Sequence, residues 1–188
     1  MHSMKLSKVS NALMVAAILG VGAAMLSAAP AYAGSTPANL AVTAQVNANC
    51  TISTTPVAFG AYDPVVANAA TALNASGSVI IACTKGSAPS ITMDLGQHAV
   101  VSQRNMLITP VGADVLAYQL YQPPNTTPGT VCTFPGSTVW GTSVAQTFTP
   151  TSPSNKNSRT YNVCGTVAAG QDVSVGSYQD TVIATVNF

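Results

Sequence analysis

Alternation with a period of two at both ends of the chain constrains the fold more than any other feature. Leu40, Val42, Ala44, Val46 and Ala48 alternate with Thr43, Gln45 and Asn47. Val182, Ala184, Val186 and Phe188 alternate with Thr181, Thr185 and Asn187, and Ile183 alone breaks the polar parity. Successive side chains of a strand point to opposite faces, so each run lays down one apolar and one polar face. A helix would need apolar residues three and four apart, and no segment after the first 33 residues competes on that period. Val79 and Ile81, then Ile91, Met93 and Leu95, then Leu116, Tyr118 and Leu120 repeat the two-residue period between Gly-, Pro- and Asn-rich turns. Short β-branched strands with that punctuation predict an all-β sandwich. Loops are expected over 122–129, with Pro123, Pro124 and Pro128, and over 149–159, with Pro150 and Pro153.

The first 33 residues are predicted to be a cleaved signal peptide. Lys5 and Lys8 form its positive start, an uncharged apolar stretch runs from Ala12 to Ala29, and Ala31-Tyr32-Ala33 supplies small residues for cleavage. Gly34 would then begin the mature chain. The rival is a retained membrane anchor, for which that stretch is at the lower limit of length.

Charge is scarce. Of 188 residues only 6% are charged, against roughly 25% in an average soluble domain. Beyond the leader, Lys85, Arg104, Lys156 and Arg159 face Asp63, Asp94, Asp114, Asp172 and Asp180, with no Glu. Four dispersed cations cannot neutralise a phosphate backbone, which argues against nucleic-acid binding. Asp94, His98 and a serine would be the raw material for a hydrolase triad, but no GxSxG elbow appears and His98 is the one histidine past the leader. A turn or surface histidine is expected instead, with no catalytic residue, no cofactor and no enzyme activity. Asp63, in Ala61-Tyr62-Asp63-Pro64, reads as a turn-capping residue. All four cysteines, Cys50, Cys83, Cys132 and Cys164, lie in the exported part. In an oxidising compartment they predict two disulfides, with three possible connectivities. No pair has the spacing of a zinc knuckle, so no metal is expected.

Several segments, in order, resemble the spore coat protein U domain family, which includes the subunits of Csu-type, or archaic, chaperone–usher pili. They are LAVTAQVNANC at 40–50, PVAFGAYDP at 56–64, GSVIIAC at 77–83, AYQLY at 117–121, VWG at 139–141, AGQ at 169–171 and GSYQDT at 176–181. The resemblance implies an immunoglobulin-like sandwich over 50–188 that lacks one edge strand, preceded by a donor segment over 34–49. A periplasmic assembly chaperone would fill the gap first, and the N-terminal strand of another subunit would fill it in the fibre. Leu40, Val42, Ala44, Val46 and Ala48 are then the donor residues. Val182, Ala184, Val186 and Phe188 become the acceptor strand and chaperone handle, with the terminal carboxylate anchored by basic side chains of the chaperone. The implied partners are that chaperone, an outer-membrane usher, and identical or homologous subunits in a homopolymer. The implied location is a cell-surface fimbrium reached through the periplasm, with a role in adhesion and biofilm. The resemblance also implies the pairing Cys50–Cys83, since both lie in its segments, and with it Cys132–Cys164. The latter two, and the Pro/Ser-rich loops beside them, depart from the family pattern. Trp140 is expected to be a buried packing residue, a carbohydrate platform being the alternative. Two other functions remain open: a non-polymerising secreted coat or matrix protein of the same fold, and a sugar-binding adhesin.

Overall fold

The computed structural model describes residues 33–110 and 112–188. The expected signal peptide therefore lies, but for Ala33, outside the described residues. The chain divides between Thr43 and Ala44, a few residues before the expected boundary at Cys50. Residues 33–43 carry no strand or helix, and the unit Ala44–Phe188 holds every strand among the described residues.

Eight strands follow in order: β1 (Cys50–Thr55), β2 (Leu73–Cys83), β3 (Ser90–Met93), β4 (Arg104–Thr109), β5 (Val115–Tyr121), β6 (Arg159–Val167), β7 (Ser177–Gln179) and β8 (Ala184–Asn187). Six form one antiparallel sheet in the order β1-β2-β6-β5-β4-β7, and β3 pairs with β8 in a second, two-stranded layer. The chain is an immunoglobulin-like all-β sandwich whose layers are unequal. Between them lie Val79 and Ile81 of β2, Leu116, Tyr118 and Leu120 of β5, Tyr161, Val163 and Val167 of β6, and Ile91 and Met93 of β3. Each set keeps the two-residue period of its strand, as a sheet with one buried face requires. The loops after β5 complete the small layer. Ile91 exchanges two backbone hydrogen bonds with Phe148, at 2.8 and 2.9 Å. Trp140, fully buried, donates its indole N–H to Ile91 O at 2.9 Å and packs on Phe148, which packs in turn on Tyr161. Trp140 is therefore a core residue and offers no sugar platform.

Two cross-links staple the large sheet. Cys50 bonds Cys83 across the β1–β2 pair, and Cys132 ties the loop after β5 to Cys164 on β6. Each closes just over 30 residues (separations of 33 and 32), a constraint on the unfolded chain of roughly 3–4 kcal/mol in the loop-entropy picture. The expected loop at 149–159 ends where β6 begins, at Arg159.

Candidate acceptor groove

The mismatch between six strands and two leaves part of the core face of β1 uncovered. In the β1–β2 register Ile52 stands opposite Ile81 and Thr54 opposite Val79, so each pair shares a face. Ile81 and Val79 are fully buried, yet Ile52 is 36% exposed and Thr54 is also exposed. β8, a strand of the second layer, approaches β1 to within 8 Å between Cα atoms but does not pair with it, and it leaves this row accessible.

The backbone beside it is unpaired. Thr84 N–H donates to Asn49 O at 2.8 Å, which fixes the backbone of the odd-numbered residues of β1 toward β2. Peptide groups alternate sides along a strand, so the N–H and C=O of Ile52 and Thr54 face outward. The same reasoning applies to β8. Asp94 N–H donates to Ile183 O at 3.0 Å, and Ile183 N–H donates to the Asp94 carboxylate at 2.9 Å. Residues 183, 185 and 187 thus turn their backbone to β3, whereas Val182, Ala184 and Val186 turn theirs to the free edge. These three side chains are half-buried and point inward, Ile183 is 62% exposed, and Phe188, at the chain end, is 54% exposed. Two strand edges, each with outward backbone groups and inward side chains, therefore flank one strip of exposed core. Such edges are templates for another strand.

Two clefts open on this side of the core, the first reaching Thr54 of β1 and Ala184 of β8 and the second lying beyond both strands. One of about 370 Å³ is lined by Val57, Phe59, Val79, Met106, Leu120 and Val182, among others. A second of about 730 Å³ shares Val57, Phe59, Met106 and Tyr178 with it and extends to Tyr62, Leu73, Leu116 and Val173. Val57 and Phe59 reach the interior because the chain after β1 crosses β6 at Gly165. A Cβ there would lie 2.6 Å from Val57 and 2.7 Å from Phe59, so glycine alone lets the segment sit against the sheet.

Polar residues brace the cleft wall. The Asp180 carboxylate, on the turn leading into β8, accepts from Tyr118 OH at 2.7 Å and Gln97 N–H at 2.9 Å, and lies 3.1 Å from His98 Nδ1. Gly96 (φ +82°) lies so close beneath that carboxylate that a Cβ would overlap it. Burial first, and then the Asp180 carboxylate, push the Tyr118 phenol well above its ordinary range, so it stays a neutral donor. Arg104 is wholly buried. Its guanidinium donates to Asp94 O, to Trp140 O at 2.7 Å and to the Gln119 amide oxygen, joining β4 to β5 and to the small layer. Burial draws its pKa below the usual value, opposed by Tyr118, Asp94 and Asp180. An arginine remains charged regardless.

The expected site residues fall into three groups. Val182, Ala184, Val186 and Phe188 lie along one lip of the groove. Leu40, Val42 and Val46 are 87%, 86% and 82% exposed, and Ala44 and Ala48 are exposed as well. None of the five has a ladder partner among the described residues. The cysteines pair as Cys50–Cys83 and Cys132–Cys164. The triad elements are not assembled: His98 meets Asp180, while the Asp94 carboxylate takes the amides of Gly96 and Ile183. Among the described residues no serine hydroxyl hydrogen-bonds His98 and no three His, Cys, Asp or Glu cluster as metal ligands. Asp63 caps its turn, accepting from Val65 and Val66 N–H at 2.9 and 3.1 Å.

An immunoglobulin-like sandwich with two lone edges around an open core defines the class, and the sequence comparison agrees. Residues 36–185 match the Spore Coat Protein U domain, and the chain belongs to that family. It is similar to Protein U of Myxococcus xanthus, with 33% identity over 197 residues covering 95% of this chain and 99% of that one. Its fold is similar to that in the crystal structure of the CsuC–CsuE chaperone–tip adhesion subunit pre-assembly complex from the archaic chaperone–usher Csu pili of Acinetobacter baumannii. The TM-score is 0.51 at 20% identity, over 76% of this chain. The chain spans 40% of the length of the matched chain in that complex.

Proposed function

We propose that the protein is a structural subunit of a chaperone–usher fimbrium, exported to the periplasm and assembled by donor-strand exchange. The observation that carries this reading is the strip of exposed core between two unpaired edges, in a chain that also bears an exposed, unpaired alternating segment. Residues 40–48 of one subunit supply a strand for the groove of another: their backbone completes the edges of β1 and β8 while Leu40, Val42, Ala44, Val46 and Ala48 fill the core. Burying Leu40, Val42 and Val46 at roughly 1.5–3 kcal/mol each gives several kcal/mol before any ladder bond. Seating the strand requires motion. Cα atoms of β1 and β8 approach to within 8 Å, whereas strands flanking a third stand about 9.5 Å apart. A periplasmic chaperone that occupies the groove along β8 would hold it open and shield the edges until an outer-membrane usher brings the next subunit. Adhesion and biofilm formation are properties of the finished fibre. Deleting residues 34–48 tests the reading: the shortened subunit should still co-purify with its chaperone and accept a donor, yet never donate. Normal fibres from it would sink the proposal.

A second reading is a coat or matrix protein that does not polymerise. The match of residues 36–185 to a domain named for a spore coat protein supports the coat role. A stable monomer secreted without a chaperone would decide for it.

A further inference from the structure

The donor segment leaves its own sandwich through a joint of one residue. Ala48 is the last donor position and Cys50, the first residue of β1, is covalently held to Cys83 on β2. Only Asn49 lies between. Its carbonyl accepts from Thr84 N–H at 2.8 Å and its N–H donates to Thr84 Oγ1 at 3.1 Å. The same hydroxyl stands 3.3 Å from Asn49 O and 3.4 Å from Asn47 O, so its single proton is shared between them. The hydroxyl thus stands in for a carbonyl and carries the β1–β2 ladder one rung past the disulfide.

We infer that Thr84 is a latch that fixes the angle between each sandwich and the strand it donates, and so sets the stiffness of the fibre. The inference rests on the pilin reading. Once residues 40–48 are locked in a neighbour and Cys50 is locked in β1, the two soft dihedrals of Asn49 are the main freedom left between subunits. Both backbone groups of Asn49 are tied to Thr84, and the hydroxyl is the one part of that tie a side-chain change can remove. Thr84→Val keeps shape, β-branching and the backbone bond while deleting the hydroxyl; Thr84→Ser keeps the hydroxyl.

The test is fibre curvature in electron micrographs, read as persistence length. Thr84→Val fibres should be at least twofold more flexible than wild type, and Thr84→Ser fibres as stiff as wild type. Amide exchange at Asn49, measured in the chaperone-held subunit, should accelerate roughly tenfold in Thr84→Val alone, and this readout stands even where variant fibres are scarce. Unchanged stiffness in Thr84→Val overturns the latch. So does equal softening in both variants, or an Asn49 amide that already exchanges freely in wild type. A wild-type chain that forms no fibres defeats the pilin reading instead, and the latch falls with it.

Discussion

A charge placed on the inward parity of the donor segment should block donation while leaving the subunit that carries it intact. Val46 is 82% exposed in its own chain, so Val46→Asp meets water there and disturbs no core. On the donor-strand reading the same side chain would enter a groove whose lining is largely apolar, with Val57, Phe59, Met106 and Val182 among its walls. Two terms then oppose insertion: the valine burial is lost, about 1.5–3 kcal/mol, and a carboxylate is buried without a partner, about 3–5 kcal/mol. The charged side chains that line the clefts, Asp180 and Asp63, are both acids and add repulsion. The sum implies a loss of roughly a thousandfold or more in donor affinity, at a factor of ten for each 1.4 kcal/mol. Gln45→Asp faces out and should change affinity by no more than about threefold, as exposed substitutions do. The assay is release of the chaperone from a chaperone-held subunit, titrated with peptides spanning 36–49. Equal losses for the two substitutions would refute the parity. A Val46→Asp chain that unfolds by itself would show that the segment belongs to its own sandwich.

Four further expectations follow from the same geometry. Val46→Lys should impair donation less than Val46→Asp, because Asp180 and Asp63 attract the ammonium; the same titration checks it. Trp140→Ala, removing a fully buried indole with a satisfied N–H, should cost about 3–5 kcal/mol in denaturant unfolding of the donor-complemented subunit. Val186→Asp on the inward parity of β8 should abolish co-purification with the chaperone, whereas Thr185→Asp should not. Hydrogen bonds from Val66 and Val65 N–H hold the Asp63 carboxyl below its usual range. That contribution to stability is complete above the unfolded carboxylate pKa of about 3.9 and fades as pH falls through the lower folded value. Asp63→Asn should remove that acid dependence in a pH series of melting curves while leaving behaviour near neutrality flat.

How much of this was legible from residues alone depends on how local each cause is. The inward parity of 182–186 and the cores of β2 and β5 follow from alternation, since Val79, Ile81, Leu116, Tyr118 and Leu120 obey the period that one buried face imposes. Composition hides β1, because its Cys-Thr-Ile-Ser-Thr-Thr run is polar and mostly exposed on both faces. In β6 the inward row Tyr161, Val163, Gly165, Val167 is broken by a glycine that exists for Val57 and Phe59, a contact across more than a hundred residues. Arg104 stands in the sequence as one of four dispersed cations, yet it is buried, with Asp94, Trp140 and Gln119 converging on it from separate parts of the chain. The Asp180–His98 pair spans 82 positions, and no local pattern announces it. The resemblance to the pilus family supplied what periodicity could not: the expectation that an open edge is a working part.

The most direct test of the central claim is an electron cryo-microscopy map of fibres formed by the wild-type chain. Donor-strand exchange predicts density for residues 40–48 of one subunit between β1 and β8 of the next, with Leu40, Val42, Ala44, Val46 and Ala48 turned into that subunit's core. A groove closed by the subunit's own residues, or fibres joined through any other surface, would contradict it.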